Sequence, residues 1–147
     1  MLVTLQGCLL LLLFITASVI DIKRREIPDS VNIMIALSGL LAFSPVKLAG
    51  ILIALPFLIT AMLCKGRMGG GDIKFMAAAG FVLGFEAAVI ASVFGLTMSL
   101  MYCAVIYIIR LIRRIRGRER NMAIPLAPFL STGCMAAFIL SNGGLNI

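Results

Sequence analysis

The sequence contains no histidine, and this absence excludes several kinds of catalytic site. A Ser-His-Asp triad, a Cys-His pair and a histidine-bound catalytic metal all require an imidazole. The four cysteines form no CxxC pair, so their spacing predicts neither a zinc site nor a disulfide framework. Any hydrolytic chemistry must therefore rest on carboxylates, and we expect no metal and no cofactor.

Acidic residues are also scarce, because only six of the 147 residues are Asp or Glu. Hydrophobic residues make up 62% of the chain, whereas an ordinary soluble domain contains about 45–50% apolar residues. The composition predicts an integral membrane protein. Since one crossing takes about 20 residues, the length allows at most about seven helices and leaves no room for a separate soluble domain. We expect residues 1–147 to form one transmembrane domain.

The basic residues give a net charge of +7, but they do not form a continuous nucleic-acid-binding face. Twelve of the thirteen Lys and Arg residues lie in the segments 21–29, 65–74 and 110–120, and Lys47 is the thirteenth. Basic clusters between apolar runs are typical of cytoplasmic loops. The arginine-rich segment 110–120 is interpreted as an anchor on anionic lipid. We expect these segments to face the cytoplasm and predict no nucleic-acid partner.

The apolar runs predict an all-α polytopic bundle of about six transmembrane helices with both termini outside. The first run is uncharged and is interpreted as a retained span, not a signal peptide. The run 73–109 has 37 residues, about 55 Å as one helix, so we divide it at Gly84-Phe85-Glu86. The predicted spans are Leu2–Ile20, Ser30–Phe43, Leu48–Cys64, 73 to about 84, about 86 to 109, and Met122–Leu140.

Two aspartates stand at the ends of apolar runs, Asp21 after the first and Asp72 immediately before the fourth. The predicted layout places both on the same side of the membrane. A carboxylate at the edge of hydrocarbon costs free energy when ionised, so such a residue indicates function. Two neighbouring carboxylates share a proton, and the ionised one can activate water while the protonated one polarises a carbonyl. The pair predicts acid–base peptide hydrolysis.

Three glycines, Gly69 to Gly71, precede Asp72. Glycines allow positive φ values and a close approach by a substrate strand, so we expect a flexible, open loop next to the carboxylate. A simple flexible connection between two spans is the alternative. A phosphate-binding loop is excluded, because Asp72 stands where that motif requires Lys followed by Ser or Thr.

Three separated stretches carry a family resemblance. They are Ile20-Asp21 with Ile27-Pro28-Asp29, then Met68-Gly69-Gly70-Gly71-Asp72-Ile73-Lys74-Phe75, and then the run from Ile124 to Leu130. In order and spacing they resemble the type IV prepilin peptidase family of GxGD membrane aspartyl proteases. The resemblance covers essentially the whole chain. It implies that Asp21 and Asp72 are the catalytic residues and that Gly69, Gly71 and Lys74 belong to the motif loop.

The resemblance implies an aspartic-type endopeptidase of the cytoplasmic membrane that removes a short basic leader from a prepilin-like precursor on the cytoplasmic side. Such an enzyme would serve a type IV pilus or a protein secretion system. Larger family members also methylate the new N-terminus and carry a cytoplasmic segment with paired cysteines. That segment is missing here, so we expect no N-methyltransferase activity. A preflagellin-type peptidase, a presenilin-type protease and a non-catalytic transport or assembly subunit are the alternatives.

Further charged residues lie near the two aspartates. Glu26 and Asp29 are rival carboxylates and candidate contacts for a basic leader, and Asp29 is also a predicted cap of the second helix. Lys23 and Lys74 each follow an aspartate by two residues and are predicted headgroup anchors, with an effect on a carboxylate pKa as the alternative. Glu86 is expected on the opposite side of the membrane. The sequence indicates no oligomeric state.

Overall fold

A computed structural model describes residues 2–63, 69–112 and 125–142. In these ranges the chain forms six α-helices and no strand. They are α1 (Leu2–Arg24), α2 (Asp29–Gly39), α3 (Ala54–Leu63), α4 (Gly70–Leu83), α5 (Phe85–Ile112) and α6 (Ala127–Asn142). A 3-10 turn, Leu40–Ala42, follows α2, and a 3-10 helix, Pro45–Ile53, leads into α3. The predicted all-α architecture is confirmed for the described residues.

Three of these segments are long and apolar enough to cross a membrane: Thr4–Arg24, Pro45–Leu63 and Phe85–Ile112. Asp29–Ala42 and Ala127–Asn142 are shorter apolar helices. At 14 residues, α4 measures about 21 Å, less than the hydrocarbon thickness of about 30 Å. The chain is therefore a multi-pass membrane protein in which long helices alternate with shorter ones.

Several predicted boundaries differ from the observed ones. α1 continues to Arg24, so Asp21 lies inside a helix and not in a loop. The reason is that Lys23 and Arg24 are good helix formers and favourable in the last turn of a helix. The predicted turn at Gly84 is confirmed, since Gly84 has φ +86 and separates α4 from α5. Predictions for Lys65, Met68, Ile124 and most of the arginine-rich segment lie outside the described residues.

Small residues bring the helices close together. A Cβ atom added to Gly80 would overlap the backbone carbonyl of Gly50, and one added to Gly133 would overlap that of Ala91. Small residues at such positions allow close helix packing in membranes, where van der Waals contact replaces the hydrophobic effect between helices. These contacts hold α4 against the Pro45–Ile53 helix and α6 against α5.

Contacts between helix ends define the two ends of the bundle. The end of α1 meets the start of α6 through Asp21 and Ala127, and the starts of α2 and α4 meet through Asp29 and Lys74. We call this the aspartate end. At the other end the side chain of Gln6 donates to the carbonyl of Ser38, 2.9 Å away.

Most described cations lie at the aspartate end. Lys23, Arg24 and Arg25 are at the end of α1, and Lys74 is in the first part of α4. Arg110 lies on α5 two turns beyond Tyr102, whose ring packs on Phe129 at the start of α6 with 5.3 Å between centroids. Lys47 alone among the described cations lies at the other end, beside Gly84.

Candidate active site

Asp21 lies in the last two turns of α1, and its side chain is buried, with 6% exposed. Its Oδ2 atom accepts a hydrogen bond from the backbone N–H of Ala127, 3.0 Å away, at the first residue of α6. The first N–H groups of a helix have no partner within the helix, and its N-terminus favours negative charge. Asp21 therefore caps α6 from a separate helix, and α6 in turn holds the carboxylate in place.

Asp72 lies in the first turn of α4, ahead of the apolar residues and outside the three segments long enough to cross the membrane. Its side chain is half-buried, and its Oδ1 atom is buried and accepts no hydrogen bond from the described residues. Burial raises the pKa of the Asp72 carboxyl from 3.8 to about 6, and the neighbouring Asp21 carboxylate also raises it. The two aspartates are thus electrostatically coupled.

A contact between two aromatic rings links α1 and α4 near the two carboxylates. The rings of Phe14 and Phe75 are 5.5 Å apart between centroids, and both side chains are almost fully buried. Phe14 lies two turns before Asp21 on α1, and Phe75 lies one turn after Asp72 on α4. The ring contact therefore connects the two aspartate-bearing helices within about two turns of each carboxylate.

The glycines of the motif do not form the open loop that the sequence predicted. Gly69 has φ −71 and ψ 136, an extended conformation open to any residue, and Gly70 and Gly71 already belong to α4. None of these three glycines uses the positive φ values that a glycine allows. Gly71 instead lets the start of α4 lie close to the backbone of Ile27. A Cβ atom at this position would lie 3.0 Å from the backbone N and 3.3 Å from the carbonyl oxygen of Ile27. A Cβ atom on Gly70 would meet nothing within 4 Å.

Asp29 and Lys74 form an ion pair that sequence reasoning missed. The Lys74 Nζ atom donates to both carboxylate oxygens of Asp29, at 2.7 and 2.8 Å, and both side chains are more than half exposed. Asp29 is the first residue of α2, but no side chain caps that helix, so the predicted capping role is wrong. The prediction that Lys74 is a headgroup anchor stays a prediction; in the structure its ammonium group pairs with the Asp29 carboxylate. Because the two residues are 45 positions apart, no local sequence pattern predicts that they pair.

The remaining carboxylates lie apart from the aspartate pair. Glu26 is exposed in the turn between α1 and α2 and forms no ion pair with another described residue. Glu86 is in the first turn of α5, at the opposite end of the bundle, where it was predicted. Among the described residues, no group of three or more His, Cys, Asp or Glu side chains lies close enough to hold a metal ion.

The fold and this site define a class of protein: an all-helical membrane protein with two coupled aspartates at one end of its bundle. Residues 8–114 match the family model described as the Type IV leader peptidase family, and the chain belongs to that family. No solved structure matches the chain.

Two curated relatives are named "Prepilin leader peptidase/N-methyltransferase". The protein from Legionella pneumophila is 30% identical over 144 residues, covering 86% of this chain and 47% of the relative. The protein from Bacillus subtilis (strain 168) is 31% identical over 139 residues, covering 88% of this chain and 53% of the relative. The chain therefore spans about half the length of the curated relatives it matches.

Proposed function

We propose that this protein is a membrane-embedded aspartyl endopeptidase that removes the leader from type IV prepilin-like precursors. The observation that carries the proposal is the coupling of Asp21 and Asp72, two partly or fully buried carboxylates on different helices. Membership of the family and the names of the two relatives support the substrate class. Residues 1–147 would act as one peptidase domain, since α1 to α6 contribute to one core.

The proposed mechanism uses the two carboxylates in different protonation states. The raised pKa of Asp72, about 6, makes this carboxyl easier to protonate than an ordinary aspartate, and its protonated form would donate a hydrogen bond to the scissile carbonyl oxygen. Asp21, oriented by the N–H of Ala127, takes a proton from the attacking water. The water oxygen then bonds to the carbonyl carbon, the C–N bond breaks, and the leaving nitrogen receives the proton that Asp21 took from the water. Gly69 and Gly71 would shape the start of α4 beside Asp72, and Lys74, paired with Asp29, would lie outside the catalytic pair.

We propose that the aspartate end faces the cytoplasm and that the protein is integral to the cytoplasmic membrane. Five described cations, Lys23, Arg24, Arg25, Lys74 and Arg110, belong to this end, and positive residues favour the cytoplasmic side. In a variant without native cysteines, a cysteine at Glu26 should react with an impermeant reagent only from the cytoplasmic side. One at Val46, which is 79% exposed, should react only from outside. The reverse pattern would contradict the orientation.

Glu26 and Asp29 are proposed contacts for the basic leader, because the other charges at this end are mostly positive and would repel it. Asp29 is already neutralised by Lys74, so Glu26 should be the stronger of the two. Glu26→Lys should raise KM more than it lowers kcat, as expected for an interaction present in ground state and transition state alike. An unchanged KM for Glu26→Lys would refute the proposed contact between Glu26 and the leader.

The test of the function is cleavage by the purified protein in detergent or lipid. A pilin-like precursor with a basic leader should be cut at the leader junction, as read by mass spectrometry, and a matched flagellin-like precursor should be cut more slowly. The proposal covers peptidase activity without methyl transfer, because the carboxylate pair supports hydrolysis alone. A folded protein that cuts neither precursor would favour a non-catalytic transport or assembly subunit.

A further inference from the structure

A pair of serines joins α1 to α6 one turn deeper in the bundle than the contact between Asp21 and Ala127. The hydroxyl oxygens of Ser18 and Ser131 are 2.7 Å apart, although the two residues are 113 positions apart in the sequence. Ser131 is buried and Ser18 is partly buried. The pair therefore links the helix that carries Asp21 to the helix whose first N–H group holds its carboxylate.

The two hydroxyl groups cannot both be satisfied within their own helices. Ser18 Oγ is also 2.7 Å from the carbonyl oxygen of Phe14, and Ser131 Oγ is 3.0 Å from that of Pro128. Each hydroxyl has one proton to donate. If both protons went to these carbonyls, the two serine oxygens would face each other as acceptors only, which is repulsive at hydrogen-bond distance. One serine therefore donates to the other, and the bond between the helices forms.

The serine pair and the aspartate contact lie on the same faces of the two antiparallel helices. Residues three or four apart are neighbours on one face of a helix, so Ser18 lies beside Asp21 and Ser131 beside Ala127. The two hydrogen bonds are about 4.5–6 Å apart along the helix axes. A single contact allows α6 to pivot about it, whereas two contacts at different heights fix its tilt. The serine pair therefore restricts the position of the Ala127 N–H group relative to Asp21.

The neighbouring core of α1 provides no comparable directional contact. Between Gly7 and Ser18 the buried side chains of α1 are all apolar, namely Leu10, Leu13, Phe14 and Ala17. Apolar contacts have no preferred direction, and lipid tails are as apolar as the helices themselves. A hydrogen bond, in contrast, is restricted in both distance and angle. The orientation of α6 beside Asp21 therefore depends on the two hydrogen bonds more than on the apolar contacts.

We propose that Ser18 and Ser131 are positioning residues for Asp21. Their hydrogen bond holds the start of α6 against the end of α1, so that the N–H of Ala127 stays on the Oδ2 atom of Asp21. With Oδ2 held in this way, Oδ1 is the oxygen left to take the proton from the attacking water. This inference rests on the proposed peptidase function. Both serines act through Asp21 and not on the reacting bond.

The test is a double-mutant cycle on leader cleavage with Ser18→Ala, Ser131→Ala and the double variant. Each single variant should lower kcat about tenfold, since a misplacement of about 1 Å can cost roughly 100-fold in rate and a loosened α6 should move less. KM should change by less than about twofold, because Asp21 acts on the water and not on substrate binding. The double variant should be no slower than either single one, since all of them lack the same hydrogen bond.

Ser92→Ala is the matched control. Ser92 is also buried, but its hydroxyl donates to the carbonyl of Val89 within its own helix, α5. This variant should keep the wild-type kcat, and circular dichroism should show that all the variants are folded. If Ser18→Ala and Ser131→Ala keep the wild-type kcat, or if Ser92→Ala loses as much kcat as they do, the serines do not position Asp21. Absence of any cleavage by the wild type would instead refute the proposed function.

A cross-link at the same place gives a second, independent measurement. In a variant without native cysteines, Ser18→Cys and Ser131→Cys together place two sulfurs where the oxygens are 2.7 Å apart, close to the disulfide bond length of about 2.05 Å. The reduced pair should have a low kcat, because a thiol is a weak hydrogen-bond donor. Oxidised glutathione should form the disulfide, as read by mass spectrometry, and raise kcat towards that of the cysteine-free parent. A cross-linked protein no faster than the reduced one would overturn the inference.

Discussion

Substitution of Gly71 by alanine tests how the site is built. The added Cβ atom would lie 3.0 Å from the N, 3.2 Å from the Cβ and 3.3 Å from the O of Ile27, all atoms that cannot rotate away. Because carbon contacts are optimal near 3.5–4.0 Å, either the α1–α2 turn or the start of α4 must move by a few tenths of an ångström. Overpacking costs about 1–3 kcal/mol, and the gain in helix propensity from Gly to Ala returns up to about 1 kcal/mol.

The effect on cleavage should exceed the effect on stability. Asp72 follows Gly71 directly, so any movement of this turn displaces one carboxylate relative to the other. A misplacement of the order of 1 Å can cost about 100-fold in rate, and we expect kcat for leader cleavage to fall by about tenfold to 100-fold. Thermal unfolding followed by circular dichroism should show a decrease of at most about 2 kcal/mol in stability.

Gly70→Ala is the matched control, because its Cβ atom would meet nothing within 4 Å. It should retain both kcat and stability. If Gly71→Ala keeps the wild-type kcat, or if both variants lose kcat equally, the close approach of Gly71 to Ile27 does not position Asp72.

Three further predictions concern stability, measured by circular dichroism in detergent. Asp72→Asn should raise the melting temperature at pH 7 but not at pH 4. The pKa of Asp72 is about 6 in the folded state and 3.8 in the unfolded state, so the folded state binds more protons between these two values. The wild type therefore loses stability as the pH rises through this range, and the Asn variant does not. An equal effect at both pH values would contradict this pKa. Gly133→Ala should destabilise the protein by about 1–3 kcal/mol, since its Cβ atom would overlap the carbonyl of Ala91; a neutral result would refute this helix contact. Lys74→Met should cost less than about 1 kcal/mol, because its ion pair with Asp29 is exposed. A larger loss would show that this pair is structurally important.

The sequence predicted the helices well wherever a long apolar run decided the outcome. α1 and α5 follow from uninterrupted apolar residues, and Gly84 separates α4 from α5 because its positive φ ends the helix. The end of α1 was placed too early. Charge alone suggested a loop after Ile20, whereas helix propensity and the helix dipole carry the helix on to Arg24.

The geometry of the site was less predictable, because the residues that contact each other there are distant in the sequence. The two aspartates were singled out by their scarcity and position, yet nothing local indicates that the N–H of Ala127 holds Asp21 across 106 residues.

The central claim, that Asp21 and Asp72 act as one catalytic unit, is tested most directly by a double-mutant cycle on leader cleavage. Asp21→Asn and Asp72→Asn should each fold, insert and lose nearly all turnover, and the double variant should be hardly slower than either single one. Asp29→Asn is the control and should keep substantial activity, because Asp29 contacts Lys74 and not the aspartate pair. Near-wild-type turnover by Asp72→Asn, or an Asp29→Asn variant as inactive as Asp21→Asn, would contradict the account.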